Sequence, residues 1–339
     1  MSIAVVVPTI REDCAIRWLN EWADDLQDAR VILVEDNPEP TFALTGNVEH
    51  YSWADFGELG ADQWIIPRRT SACRSFGLLK ALEGDADIIW TTDDDCYPET
   101  ARKGQYLDLI GENLAATVAY SDVMNGWWNT TAAHRIYPRG YPYRIREVER
   151  PVMIHHGLWS NVPDLDGITQ LAHPDFRLPP HQAVDVVPEG ALFPFCIMNA
   201  AFRRQATPLM YMLLMGKDPD GQHWGFDRFD DIWAGVLAKL TADHLGWAVT
   251  SGAPSVHHSR ASDPHRNAAL EKAGMAAHED LWPYLRDVKL SGTTPGECYQ
   301  EFAHAVNEYG GDAPRTGYWN SLAAAMVAWA GQCEKRGVA

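Results

Sequence analysis

Asp93, Asp94 and Asp95 stand side by side, directly after the run Ala86-Asp87-Ile88-Ile89-Trp90-Thr91-Thr92. A short apolar run of this kind predicts a buried parallel strand over 86–90, so three carboxylates fall where that strand ends. Open α/β sheets bind ligands beyond the carboxyl ends of their strands. Adjacent carboxylates repel one another unless a cation lies between them. Mg2+ is commonly held by one or two carboxylates plus substrate phosphates, which makes the triplet a candidate metal–diphosphate site. An acidic, solvated turn is the competing explanation.

Other polar residues could complete such a site. Arg68, Arg69 and Arg74 cluster in an acidic protein and could neutralise a diphosphate, or be ordinary surface charge. Asp36 follows a second expected strand, where it could accept hydrogen bonds from a base or ribose, or merely close a turn. His258, in the polar stretch 256–264, could complete the metal site. Asp230 and Asp231 head an expected helix running through Leu240. There they could favour the helix dipole or face a sugar. Asn199 lies in the apolar stretch 190–202, where a buried amide needs partners, sugar hydroxyls among them. His155 and His156 are neighbours and point to opposite faces if they lie on a strand, which speaks against joint metal ligation. Trp127, Trp128, Tyr137, Tyr141 and Tyr143 crowd into 17 positions. Such rings suit a sugar or base, and they also simply pack. A tight loop with three arginines, 138–147, overlaps them.

The elements that would position these groups follow from the hydrophobic pattern. Ile3 to Val7 reads as a first strand stopped by Pro8. Cys14 to Leu26 carries a helical stripe, and Val31 to Val34 reads as a second strand. This strand–helix–strand opening is that of a doubly wound fold. A helix within 68–82 precedes the strand at 86–90. Residues 209–215 read as a buried helix. From about Asn267 the chain is helical and without evident chemistry. The expected organisation is a catalytic unit over 1–265 with a helical extension, 266–339, packed on it.

Composition narrows the function. With 339 residues, 46% of them hydrophobic, the chain can bury a large core. A net charge of −18 argues against nucleic acid and anionic lipid as partners. No apolar run approaches the 18 residues of a membrane helix. The six cysteines form no CxxC pair, and the start has no secretory pattern. A cytoplasmic protein with reduced thiols is therefore expected.

Taken together, these segments resemble one family, the reversibly glycosylated polypeptides, which include the UDP-arabinopyranose mutases. The resemblance runs over nearly the whole chain. It rests on Val7-Pro8-Thr9-Ile10-Arg11, Ser71-Ala72-Cys73-Arg74, Asp93-Asp94-Asp95-Cys96, Arg139-Gly140-Tyr141-Pro142 and His156-Gly157-Leu158-Trp159. It continues through Pro188 to Phe195, Asp230-Asp231-Ile232-Trp233-Ala234-Gly235, His258-Ser259-Arg260-Ala261-Ser262 and Leu322 to Val327. Two segments depart from the plant pattern: Tyr143-Arg144-Ile145, and the loop Asn125 to Thr131.

The resemblance implies a glycosyltransferase-A-like, Rossmann-type α/β fold with a mostly parallel sheet and helices on both faces. It implies a UDP-sugar substrate, Mn2+ or Mg2+, and either mutase or self-glycosylating activity. A quiet subunit that binds nucleotide sugar without turnover is a further option, and homo-oligomerisation stays open. Pro8, Thr9, Arg11, Asp36, Arg68, Arg74, Asp93 and Asp94 are then expected at the nucleotide. Asp93, Asp95 and His258 are expected at the metal, and Trp159, Asp164 and Asn199 at the sugar. The family's glycosylated arginine lands on Arg139, and its second arginine on Arg146. A guanidinium stays protonated at neutral pH, so attack by Arg139 on a sugar requires a base. Asp230, Asp231, Asp164 and Asp166 are the candidates. Electrostatic pairing of Arg139 with the diphosphate is the alternative.

Overall fold

The structure is a computed structural model that describes residues 1–124, 126–131, 135–259 and 262–339. Asn125, Arg260 and Ala261, all in motifs named above, lie outside the described residues. In chain order the strands are β1 (Ile3–Thr9), β2 (Arg30–Glu35), β3 (Val48–Tyr51), β4 (Ile88–Thr92), β5 (Cys96–Pro98), β6 (Thr117–Ala119), β7 (Glu149–Asn161), β8 (Val184–Val186), β9 (Asn199–Arg203) and β10 (Ala248–His258). The α-helices are α1 (Glu12–Glu21), α2 (Arg74–Leu82), α3 (Tyr106–Ala115), α4 (Tyr120–Val123), α5 (Gly167–Ala172), α6 (Asp230–His244), α7 (Pro264–Arg286), α8 (Pro295–Glu308) and α9 (Tyr318–Glu334).

The strands form one sheet in the order β3-β2-β1-β4-β9-β7-β10-β5, with β6 on β7 and β8 on β10. Pairing is parallel from β3 to β4 and between β7 and β10, while β9 runs against both of its neighbours. The expected α/β architecture is present. β1, β2 and β4 are almost wholly buried because helices cover both faces, and their near-continuous Val, Ile and Leu runs reflect that. Pro8 does not stop β1. The ladder to β4 ends at Val6, whereas pairing with β2 continues through Pro8 to Thr9.

One face of the sheet carries a tryptophan cluster in which Trp18 of α1 and Trp22, just past its end, meet Trp90 of β4 and Tyr106 of α3. The other face holds a core running from Ile32 and Phe76 to Trp329 and Cys333 of α9. The C-terminal helices therefore share the sheet's core. Residues 209–215 are buried as expected but not as an α-helix. A 3-10 helix containing Pro208 ends at Leu209, and the chain then runs irregularly, with Met212 N–H donating to Ser75 and Leu213 N–H to the Asp230 carbonyl. Among the described residues no helix is long and apolar enough to cross a membrane.

Candidate active site

The carboxyl ends of β1, β4, β7 and β10 open into a cleft of about 850 Å³, closed on the far side by 163–166, the 227–232 turn and the first turns of α7. Asp93 and Asp95 lie at its base. Arg74 is buried beneath them and donates to Thr91, to the Ile197 carbonyl and to Asp93. Arg11, half-exposed on the cleft wall, pairs with Asp94 and reaches Asp95 at 3.2 Å.

Asp94 itself points inward. It accepts from Thr9 Oγ1 at 2.6 Å and from Arg11, and burial raises its pKa. Thr9 and Asp94 thus brace the strand ends, and Pro8 is buried within β1; the three stay off the cleft lining. Asp36 is likewise buried. Its Oδ1 accepts from Trp53 Nε1 at 2.7 Å and from Arg69 N–H at 3.2 Å, and burial pushes its pKa to about 6. Arg68 is buried over Phe56, where desolvation pulls its pKa down to about 10. Neither Asp36 nor Arg68 lines the cleft. They shape the turn that projects Arg69 into it.

His258 closes the metal-side wall. Its Nδ1 lies 2.7 Å from the Val162 carbonyl, and its Nε2 lies 3.7 Å from Asp95 Oδ1. A carbonyl only accepts, so Nδ1 carries hydrogen and Nε2 is the atom turned towards the carboxylate. A proton on Nε2 or a cation could bridge the two. The Asp95 carboxylate is a hard oxygen donor of the kind Mn2+ or Mg2+ takes, the imidazole is a borderline nitrogen donor, and phosphates could supply the rest. Asp93 is turned onto Arg74 instead. Among the described residues no three acidic, histidine or cysteine side chains converge on one point.

Asp230 and Asp231 start α6 and face the cleft, with Asp164 near them. Burial raises the pKa of both, and Asp231 is raised further by Asp230 and Asp164. Asp231 accepts from the Ile197 and Ile232 N–H groups, whereas buried Asp230 Oδ2 has no hydrogen-bond partner among the described residues. Burial and mutual repulsion favour a shared proton on the pair, so one member can give a proton and the other take one. Asp164 is raised by burial too. Asp166 caps α5 by accepting from Thr169 N–H.

Two expectations for the sugar fare differently. Asn199 is no sugar contact. Its Oδ1 accepts from Trp90 and Tyr106, and its Nδ2 donates to the Leu158 and Pro254 carbonyls, which exhausts its capacity. Gly157 makes room for it, since a Cβ there would overlap Nδ2. Trp159 is half-buried edge-on to His156 and does not line the cleft. His155 and His156 do part, to Thr250 and Ser251, and burial drives their pKa values to about 4 and about 3.

Arg139 and Arg146 lie elsewhere. β7 runs parallel to β4 in the sheet, so its first residue, Glu149, is at the end remote from the acidic triplet. Residues 135–148 hang from that remote end, with Tyr120 N–H bonded to the Val148 carbonyl. Arg139 is exposed on a turn there. Arg146 is held by the Tyr141 and Pro142 carbonyls and stacks on Tyr143 and Tyr137.

Cleft residues without an evident sequence signal come from 227–229 and α7: Asp227, Arg228, Arg266, Glu271 and His278. Arg69 and Arg228 both adopt left-handed backbone, at φ 65° and 62°, an arrangement that costs energy and clusters at binding sites. Arg228 pairs with Glu271 at 2.9 Å. Among the described residues neither the Arg69 nor the Arg266 guanidinium has a carboxylate partner.

The profile of the family described as reversibly glycosylated polypeptide matches residues 1–337. The chain belongs to that family. It is 35% identical over 338 residues to UDP-arabinopyranose mutase 1 of Arabidopsis thaliana, covering 97% of this chain and 91% of that protein. It is 33% identical to UDP-arabinopyranose mutase 1 of rice, Oryza sativa subsp. japonica, covering 97% of this chain and 89% of the relative. Among solved structures it matches S. aureus TarS 1–349 in complex with UDP-GlcNAc, at TM-score 0.39 and 12% identity, over 94% of this chain and 75% of the other.

Proposed function

We propose that this member of the family is a UDP-sugar mutase that interconverts the pyranose and furanose forms of its sugar, UDP-arabinose being the default. The observation that carries the proposal is the facing pair His258–Asp95, in a cleft that also offers a proton-sharing carboxyl pair and two unpartnered arginines. Arg69 and Arg266 would meet the diphosphate. Asp95 and His258, joined by Asp93 once it leaves Arg74, would hold Mn2+ or Mg2+. The cation would stabilise negative charge on the diphosphate as it parts from C1.

Changing ring size breaks C1–O5 and forms C1–O4. O5 gains a proton and O4 loses one. Asp230 and Asp231 together can do both, which is why they are assigned this role rather than Asp166, already spent as a helix cap. Reversible capture of C1 by an Arg139 nitrogen, whose proton passes to a carboxylate, belongs to the same reading. A cytoplasmic setting is in keeping with six free cysteines.

The exposure of Arg139 outside its own cleft favours one second reading, a transferase that places the sugar on Arg139 itself. The test is incubation of purified protein with Mn2+ and a panel of UDP-pyranoses and UDP-furanoses, read by chromatography and intact mass. Ring-size exchange without acceptor supports the mutase. Mass gain on the Arg139 peptide without exchange replaces it with the transferase.

A further inference from the structure

We propose that the segment 135–148 of one copy of this chain, with Trp127 and Trp128 beside it, docks against the cleft of a second copy and brings Arg139 there. The delivery of Arg139 rests on the proposed function, in which the cleft binds a UDP-sugar and Arg139 captures C1; the docking itself does not.

Distance comes first. His258 at the cleft is in register with Asn161, the last residue of β7. Glu149, at the other end of β7, is twelve residues back, about 40 Å of strand at roughly 3.3 Å per residue. Arg139 is ten residues from Glu149, so a fully extended tether reaches about 35 Å at most. The real tether is far shorter. Tyr141 is buried, donates to the Ser121 carbonyl and stacks on Tyr137, which pins the loop two residues from Arg139. A chain cannot place its own Arg139 in its own cleft without dismantling this anchor.

Surface chemistry comes second. Trp127, Trp128, Ile136, Tyr143 and Val148 are all exposed, Trp128 by 83% and Tyr143 by 68%. Exposed aromatics gathered in one place mark an interaction surface, and Trp, Tyr and Arg are the residues enriched at interface centres. The occupant is indicated by charge. In a chain of net charge −18, residues 135–150 hold five arginines against two glutamates. The cleft is lined by nine carboxylates against four arginines. The most basic aromatic surface thus complements an acidic hollow of the same chain. Because the two lie at opposite ends of the sheet, two copies side by side and antiparallel can exchange them reciprocally, as a two-fold pair requires. A head-to-tail ring would serve the same contact.

The docking arm of the test is sedimentation of the wild type and of the Trp128→Ala/Tyr143→Ser double variant. The expected result is a dimer or ring for the wild type and a monomer for the variant. A monomeric wild type, or an assembly indifferent to the two substitutions, overturns the proposal.

The delivery arm uses Arg139→Ala and Asp95→Asn chains, each alone and co-expressed. Each alone is expected to be inactive. A mixed pair contains one intact cleft served by one intact loop, so random pairing restores about a quarter of wild-type turnover. No rescue, with the wild type active, overturns delivery between copies. A wild type without mutase activity would sink the proposed function instead, and sedimentation would still decide the docking.

Discussion

His258 Nε2 faces Asp95 Oδ1 at 3.7 Å while the Val162 carbonyl fixes the hydrogen on Nδ1. Under the proposed function the two share a cation. Mn2+ should bind in the presence of UDP, read by the loss of its free EPR signal. His258→Ala and Asp95→Asn should each weaken it by about tenfold or more, since even outer-shell partners of metal ligands are worth 10–100-fold. Unchanged Mn2+ affinity in His258→Ala would remove His258 from the site.

Asp231 carries the second prediction. Its carboxyl is pushed up to about 8 by burial and by Asp230 and Asp164. The unfolded chain releases that proton near pH 4, so between about 4 and 8 the folded state binds more protons. Stability contributed by this group is therefore full at low pH and is lost as pH rises towards the folded value. Urea unfolding at pH 6 and pH 8 should show the wild type losing about 1–2 kcal/mol more than Asp231→Asn over that interval. Equal losses in the two proteins would mean that Asp231 titrates normally.

The central strands and the carboxylates after β4 were legible in the sequence because a fully buried parallel strand writes itself as a continuous apolar run. The fates of Asp36, Arg68 and Asn199 were not. A buried polar residue that braces a turn and one that meets a ligand have the same local sequence, and only tertiary partners separate them. Arg266, Glu271 and His278 escaped for the converse reason. They sit on an ordinary amphipathic helix, and nothing in its spacing says that its first turns roof a cleft. Arg139 is a third case: its motif names a residue type but not the end of the sheet on which it lies.

Arg69 offers a sharper test of the nucleotide side than Arg68 or Asp36. It projects into the cleft from left-handed backbone, and among the described residues its guanidinium lies over the Trp53 ring, at 4.9 Å, without a carboxylate ion-pair partner. Losing a charge-assisted hydrogen bond to phosphate costs about 1.5–3 kcal/mol, so Arg69→Ala should weaken UDP binding by roughly 10–100-fold in calorimetry. Arg139→Lys, remote from the nucleotide in its own chain, should leave UDP binding in the isolated chain unchanged. A UDP affinity unaffected by Arg69→Ala would move the diphosphate to another part of the cleft.

Asn199 separates a structural amide from a ligand contact. All four of its hydrogen bonds are internal, linking β9 to Trp90, Tyr106, Leu158 and Pro254. Asn199→Ala leaves the buried Trp90 N–H without its acceptor and the Leu158 carbonyl without this donor, while the Pro254 carbonyl keeps the Tyr106 hydroxyl. Each orphaned group costs about 1–3 kcal/mol, and repair by water is limited at a position only 3% exposed. The expected loss is about 2–4 kcal/mol of stability, with UDP affinity and KM close to wild type in the fraction that stays folded. A sugar contact would behave in the opposite way, with KM rising and the unfolding midpoint holding. Gly157→Ala is the companion variant, because its added methyl runs into the Asn199 amide. It should lower the midpoint through the same contact. The double variant should cost less than the sum of the two, since shortening Asn199 to a methyl opens the space that the new methyl at 157 needs.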